Sequence, residues 1–467
     1  MLFNSLAFAI FLPVVFFLYW AIPDRYRVYL LFLASYYFYM SWNAKYVVLI
    51  LFTTVISYAA ALLISKAVSG RLKLVLLTGA SAAGLGVLFF FKYLELFENM
   101  LARTAGLFGV TIHPVTLGLM LPVGISFYTF QTMSYVIDVY RGEVKAERNF
   151  ITYAAFVSFF PQLVAGPIER TGNLLPQIKQ EKHFSYEQSV MGLKLMAWGF
   201  FKKLVIADNL AVYVDAIYSE PQYHQGLSLI AATLFFTVQI YCDFSGYSDI
   251  AIGTAGLFGI DLMKNFASPY FAGSLKEFWS RWHISLSTWF RDYVYIPLGG
   301  NRKGKVRKAL NQILTFAVSG LWHGANYTFL VWGLWHGIGQ VLENLLRKKK
   351  RWISTFLFVA AAWVFFRAQS LSEAVYIFGH MFTGITAPVS YVVNGIQDLG
   401  IKPVDGAALL AALTLLGVHD YVAQRENPFV LLGRLPKWGR TAVYYCFLLF
   451  VLLFASFNAK EFVYFQF

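Results

Sequence analysis

Apolar residues along this chain gather into blocks of membrane-spanning length instead of recurring every third or fourth position as on a soluble bundle. The blocks cover about residues 5–22, 26–42, 46–65, 74–91, 116–138, 150–168, 188–209, 225–260, 310–346, 352–366, 407–424 and 441–457. The apolar run opens at Leu2 with no basic leader, and no small-residue cleavage site precedes a polar region, so 5–22 is expected to be a retained span. Blocks 225–260 and 310–346 are too long for one crossing. As straight helices they would run roughly 55 Å at about 1.5 Å per residue, against a hydrocarbon core of about 30 Å. Each is expected to bend back or break. The predicted fold is all-α: a polytopic integral membrane protein with roughly 11 to 14 membrane segments, some re-entrant or broken, around a polar tunnel. No soluble domain, low-complexity tract or convincing repeat interrupts it, so 1–467 reads as one membrane domain.

Between the blocks, the basic residues set an orientation. Arg25 and Arg27, then Lys66, Arg71 and Lys73, then Arg141, Lys145 and Arg148 place alternate connections on the cytoplasmic side and the N-terminus outside. The runs Asn301-Arg-Lys-Gly-Lys-Val-Arg-Lys308 and Arg347-Lys-Lys-Lys-Arg351 both read as cytoplasmic and bracket 310–346 as a hairpin. Segments 92–112 and 371–386 are short and mixed; Lys92, Glu95, Glu98 and Arg103 fit an interfacial helix.

Composition agrees with lipid as the main solvent, since 58% of residues are hydrophobic and 13% charged, where about 25% charged is usual for soluble domains. The net charge of +14 lies in short connections rather than a groove, which fits positive-inside topology and argues against a nucleic-acid partner. Cys242 and Cys446 sit inside apolar blocks and imply neither a disulfide nor a metal site. No paired-histidine metal motif, Walker-type loop or Gly-x-Ser-x-Gly elbow occurs, so no metal is expected and an ATP-driven pump or serine hydrolase is disfavoured.

Ionisable residues at membrane depth mark a functional interior. In Ser319-Gly-Leu-Trp322-His323-Gly-Ala-Asn326, an imidazole and an amide stand beside Gly320 and Gly324 in the predicted hairpin. His323 fits either a general base or a helix-packing histidine. For His336, in the second arm, the structural role is favoured. A second constellation, Glu277 through Arg281, His283, Arg291 and Asp292 to Gly300, carries Trp279, Trp282 and Trp289; it is expected at the cytoplasmic interface or dipping into a cavity. A third, Tyr241-Cys-Asp243-Phe-Ser-Gly-Tyr-Ser-Asp249, falls where block 225–260 should break. Its carboxylates either cap the broken helix or couple ions, as in a secondary transporter or flippase.

With these residues in view, the chain resembles the membrane-bound O-acyltransferase (MBOAT) family, and within it the bacterial alginate O-acetyltransferase group. The resemblance rests on Phe159-Phe-Pro-Gln-Leu-Val-Ala-Gly-Pro-Ile-Glu-Arg170, Asp243-Phe-Ser-Gly-Tyr-Ser-Asp249, segment 279–300 and Leu321-Trp-His-Gly-Ala325, in order across most of the chain. It implies that His323 is the family's essential membrane histidine and His283 the second polar residue upstream of it. It also implies an acetyl thioester donor, acetyl-CoA, no resident cofactor, and a polysaccharide modified outside the bacterial cytoplasmic (inner) membrane. Alginate, cellulose and peptidoglycan are all served by relatives with nearly these motifs.

The resulting expectation is a tunnel meeting near His323, with Trp322, Asn326, Arg281, Asp292, His336, Asp243 and Asp249 as lining candidates. Arg302, Lys303 and Lys305 are candidates for attracting the donor's phosphates. The longest polar stretches, 170–187 and 387–405, are too short to fold around a polysaccharide, because independent domains need about 50 residues or more. A separate extracytoplasmic acetyltransferase is therefore expected as partner. The rival transporter reading requires inverted repeats, which the sequence does not display.

Overall fold

The computed structural model describes residues 1–111, 121–164, 166–346 and 351–456, and among them the regular structure is helical throughout. The start of the 116–138 block and most of the basic run 347–351 lie outside the described residues. Among the described residues, five helices are long and apolar enough to cross a bilayer: Ala44–Lys66 with its 3₁₀ lead-in, Gly70–Lys92, Leu227–Leu257, Pro403–Ala423 and Lys437–Phe454. Leu6–Ala21 and Trp352–Arg367 are shorter apolar helices. The contacts cluster in two compact units, Met1–Met196 with Ile250–Met263, and Ala197–Asp249 with Lys264–Phe467.

In the first unit, helices Asp24–Met40, Val47–Lys66, Gly70–Lys92 and Ile125–Arg141 pack with the shorter Phe150–Ser158 and Thr171–Lys179. Block 150–168 does not run as one span. It breaks at Phe159 because Pro161, which has no N–H to donate, opens a new turn at Phe160–Leu163. The carbonyl of Phe156, left behind by the break, accepts hydrogen bonds from the side-chain amides of Gln131 and Gln162, both at 3.1 Å. Irregular backbone in an apolar interior persists only with such substitutes. Outside the spans, Glu147 binds Lys179 at 2.7 Å and accepts from the amides of Arg148 and Asn149.

The second unit contains the predicted hairpin. Its arms are Gly304–His323 and Tyr327–Leu346, and Trp352–Arg367 packs against the returning arm. A Cβ on Gly320 would collide with the carbonyl oxygen of Phe329, and one on Gly333 with that of Phe316. The two backbones thus touch, and small residues are what allow this approach in a membrane.

Two expectations need correction here. Block 225–260 neither turns back nor breaks: Leu227–Leu257 is one helix of 31 residues. At about 46 Å it exceeds the hydrocarbon thickness, which tilting can absorb. Consequently Asp243 and Asp249 do not cap a helix end. They lie mid-helix, where the helix retains its own backbone bonds and the carboxylates find cationic partners sideways. Segment 279–300, expected at the interface or dipping into a cavity, does line one. It folds as Leu275–Arg281, Ile284–Phe290 and the π-helical turn Arg291–Tyr295, with Trp279, Trp282 and Trp289 buried.

Candidate functional site

His323 is the last residue of the outgoing hairpin arm, and the chain passes through extended Gly324 into the turn. Asn326 holds that turn: its amide donates to the Gln369 carbonyl at 2.8 Å and its oxygen accepts from the Thr328 amide at 3.2 Å. It acts there as a cap and a strut. His323 is 4% exposed, so its surroundings, rather than bulk water, determine its chemistry.

Those surroundings are rings. His283 lies 6.2 Å from Trp322, centroid to centroid, and Trp322 lies 4.9 Å from His323. His323 is then 5.0 Å from Trp332, Trp332 is 5.1 Å from His336, and His336 is 5.0 Å from Trp279. Histidines and tryptophans thus alternate along one path within the second unit, and His336 accepts a hydrogen bond from the Trp279 indole at 3.3 Å. Three sequence candidates, His283, Trp322 and His323, come together in this way, and His336 joins through Trp332.

Trp279, at the far end of the path, also lines a cavity of about 580 Å³ between the hairpin and segment 275–295. Lys276, Arg291 and Lys308 give its wall positive charge, and Ser319 and Thr315 belong to the hairpin side. Ser319 precedes His323 by about one helical turn, roughly 6 Å along the axis. An opening of this volume, basic at its wall and near an imidazole, can receive an elongated anionic molecule carrying a reactive carbonyl.

Other sequence candidates lie elsewhere. Arg302, Lys303 and Lys305 are exposed, and from their segment it is Asn301 and Lys308 that line the cavity. Arg281 pairs with Glu277 at 2.7 Å, and Asp292 with Arg291 at 2.7 Å. Asp243 and Asp249 belong to an ion-pair cluster. Lys203 binds Asp243 at 2.6 Å and Asp208 at 2.9 Å, while Lys202 binds Asp249 and Ser245, at 2.7 and 2.8 Å. Both lysines come from the π-helical stretch Phe201–Ala207, whose wider turn brings consecutive residues toward the same neighbours. Each of these three carboxylates has an ammonium within 2.9 Å, so the cluster is held by charge among its own residues.

Sequence reasoning passed over Lys202 and Lys203, although two charges inside block 188–209 are the same signal that singled out Asp243. It also passed over Asn265, whose side chain touches His283 at 3.1 Å. Nothing in the local pattern marks that residue, because segment 258–268 has no periodicity.

Residues 143–378 match the profile of MBOAT, the membrane-bound O-acyltransferase family. This chain belongs to that family. The matched residues include His283, the hairpin and the ion-pair cluster. Over 436 residues the chain is 42% identical to a probable alginate O-acetylase of Pseudomonas aeruginosa, covering 91% of this chain and 83% of that protein. It is 39% identical to a probable alginate O-acetylase of Pseudomonas putida, over 90% and 88% of the respective chains. A peptidoglycan O-acetyltransferase of Helicobacter pylori is 36% identical over 73% of this chain and 71% of its own. As an MBOAT protein the chain is an O-acyltransferase and a multi-pass membrane protein, and the transporter reading of Asp243 and Asp249 is not favoured.

Proposed function

We propose that this O-acyltransferase takes an acetyl group from acetyl-CoA on the cytoplasmic side of a bacterial inner membrane and passes it outward for O-acetylation of an alginate-like polysaccharide. The observation that carries the proposal is the placement of His323. It stands at the tip of the hairpin, in ring contact with the same indole that His283 approaches, about a turn beyond a basic-walled cavity. The similarity to alginate O-acetylases over nine-tenths of the chain supports alginate over peptidoglycan as the polymer class.

In this reading the cavity takes the donor, whose phosphates meet Lys276, Arg291 and Lys308 while its thioester reaches toward His323. His323 takes the proton from an attacking hydroxyl as that oxygen bonds to the acetyl carbon, and the thiolate leaves. The alternative in which the imidazole carries the acetyl group uses the same placement. The general-base role contributes about 10² to 10⁴ in rate, and positioning in a dry site contributes more. The polysaccharide is reached through a separate extracytoplasmic acetyltransferase, because the chain's longest polar stretches are too short for a polymer-binding domain.

The test is acetyl transfer in proteoliposomes loaded with acetyl-CoA, comparing the native chain with His323→Ala at equal insertion and monodispersity. Loss of at least a hundredfold is expected; retention of more than about a tenth of the rate removes His323 from the chemistry. Adding polymer with and without the partner tests the division of labour. Full polymer acetylation by this chain alone would refute it.

A further inference from the structure

We propose that Asn265 is a positioning residue that fixes the tautomer and orientation of His283, placing the proton on Nδ1 and the lone pair on Nε2. This rests on the reading that His283 takes part in the transfer.

Asn265 is fully buried in the irregular segment after the Leu227–Leu257 helix, and its side-chain oxygen and main-chain carbonyl face the start of the Ile284–Phe290 helix. Its Oδ1 lies 3.1 Å from His283 Nδ1, 2.9 Å from Ser285 Oγ and 3.4 Å from the Ser285 amide nitrogen. Its Nδ2 donates to Ser248 Oγ at 3.1 Å, and its main-chain carbonyl accepts from the Ile284 amide at 2.9 Å. The grip therefore covers three consecutive residues, 283 to 285.

These contacts assign the protons. A main-chain N–H can only donate, so the Asn265 atom facing the Ser285 amide is the oxygen, and the amide cannot be turned the other way. The same oxygen faces His283 Nδ1. An oxygen that only accepts requires a proton on Nδ1, and a neutral imidazole then has its lone pair on Nε2. That is the form able to accept a proton or attack a carbonyl carbon.

The backbone indicates that the grip has a purpose. His283 lies in the left-handed region at φ 43° and ψ 55°, one of the described non-glycine residues with positive φ. This conformation is strained in a non-glycine residue and persists where the surroundings over-determine it, which happens most often at functional sites. Asn265 supplies that over-determination through both its side chain and its carbonyl, while Phe244 closes on the ring at 4.5 Å.

The experiment uses the full chain with acetyl-CoA as probe, reading CoA thiol release across pH, together with ¹⁵N spectra of the labelled histidine side chains assigned by difference with His283→Ala. Asn265→Leu is expected to lower kcat tenfold to a thousandfold with the donor KM within threefold, and to shift the His283 signal away from the Nδ1-protonated tautomer. Asn265→Asp keeps an acceptor oxygen. It is expected to recover most of kcat and to move the acidic limb of the pH profile upward, because a carboxylate beside an imidazole favours the imidazolium. A merely structural role predicts neither the tautomer shift nor the moved limb. The proposal is overturned if Asn265→Leu leaves the tautomer unchanged, or if folded Asn265→Asp is as impaired as Asn265→Leu with its limb unmoved. Should Asn265→Leu fail to fold, the Asp variant decides alone. Undiminished turnover by His283→Ala removes His283 from the reaction, an outcome separate from the nitrogen signals that decide what Asn265 does.

Discussion

Lys203 and Asp243 meet at 2.6 Å inside the second unit, with side chains 2% and 1% exposed. Asp208 approaches the same ammonium at 2.9 Å. Removing the cation would strip two buried carboxylates of their shared countercharge, a change that costs about 3–5 kcal/mol when a buried pair is broken. Lys203→Met is expected to lower the melting temperature of the detergent-solubilised protein severely, whereas the triple variant Lys203→Met, Asp208→Asn, Asp243→Asn recovers much of the loss. Equal destabilisation by the single and triple variants would show that the charges themselves are not what holds the site.

The hairpin predicts a contrast between glycines. Gly320→Ala pushes a methyl group into the carbonyl of Phe329, where only main chain can yield, and is expected to cost about 1–3 kcal/mol. Because residue 320 is less than a turn from His323, acetyl turnover should fall as well. Gly79→Ala, with open space around the new methyl group, should be neutral or stabilising by up to about 1 kcal/mol. Thermal unfolding and thiol release on the same preparations measure both effects.

The cavity predicts which basic residues meet the donor. Neutralising Lys276, Arg291 and Lys308 to glutamine together should raise the apparent KM for acetyl-CoA at least tenfold and flatten its salt dependence, with kcat changed less than about threefold. Neutralising the exposed Arg302, Lys303 and Lys305 should raise KM by less than about threefold, the residual effect of a nearby basic surface. Initial rates at two ionic strengths separate these outcomes.

A fourth prediction concerns pH. Burial opposes ionisation of Glu147, but Lys179 and the Asn149 and Arg148 amides outweigh it and hold the carboxyl below its ordinary value of 4.5. A carboxyl lowered on folding contributes stability above its unfolded pKa and loses it as pH falls through the folded value. Melting temperature should therefore drop below about pH 4.5 more steeply in the native chain than in Glu147→Gln, which carries no such proton linkage. Parallel curves for the two proteins from pH 6 to pH 3 would contradict this.

The hairpin and its histidine were legible because two basic runs bracket a block too long for one crossing, and glycines flank an imidazole within it. The continuous Leu227–Leu257 helix was not. Its polar stretch looks like a breaker until Lys202 and Lys203, some 40 residues upstream, are brought beside it, and that pairing is tertiary. Arg302, Lys303 and Lys305 stand out by density of charge, whereas which residues of their segment line the cavity, Asn301 and Lys308, depends on side-chain direction, which a sequence does not display. Asn265 shows the same limit: an irregular segment has no period to read, so its partner emerges only from the fold.

The main-chain contact at Gly320 and Gly333 has a mechanical consequence. Two rods pressed together without a cushion of side chains have no slack for one to slip along the other, so His323 is a fixed post rather than a swinging arm. Any donor or acceptor that meets this histidine must therefore bring its own reach, since the post does not move to meet it.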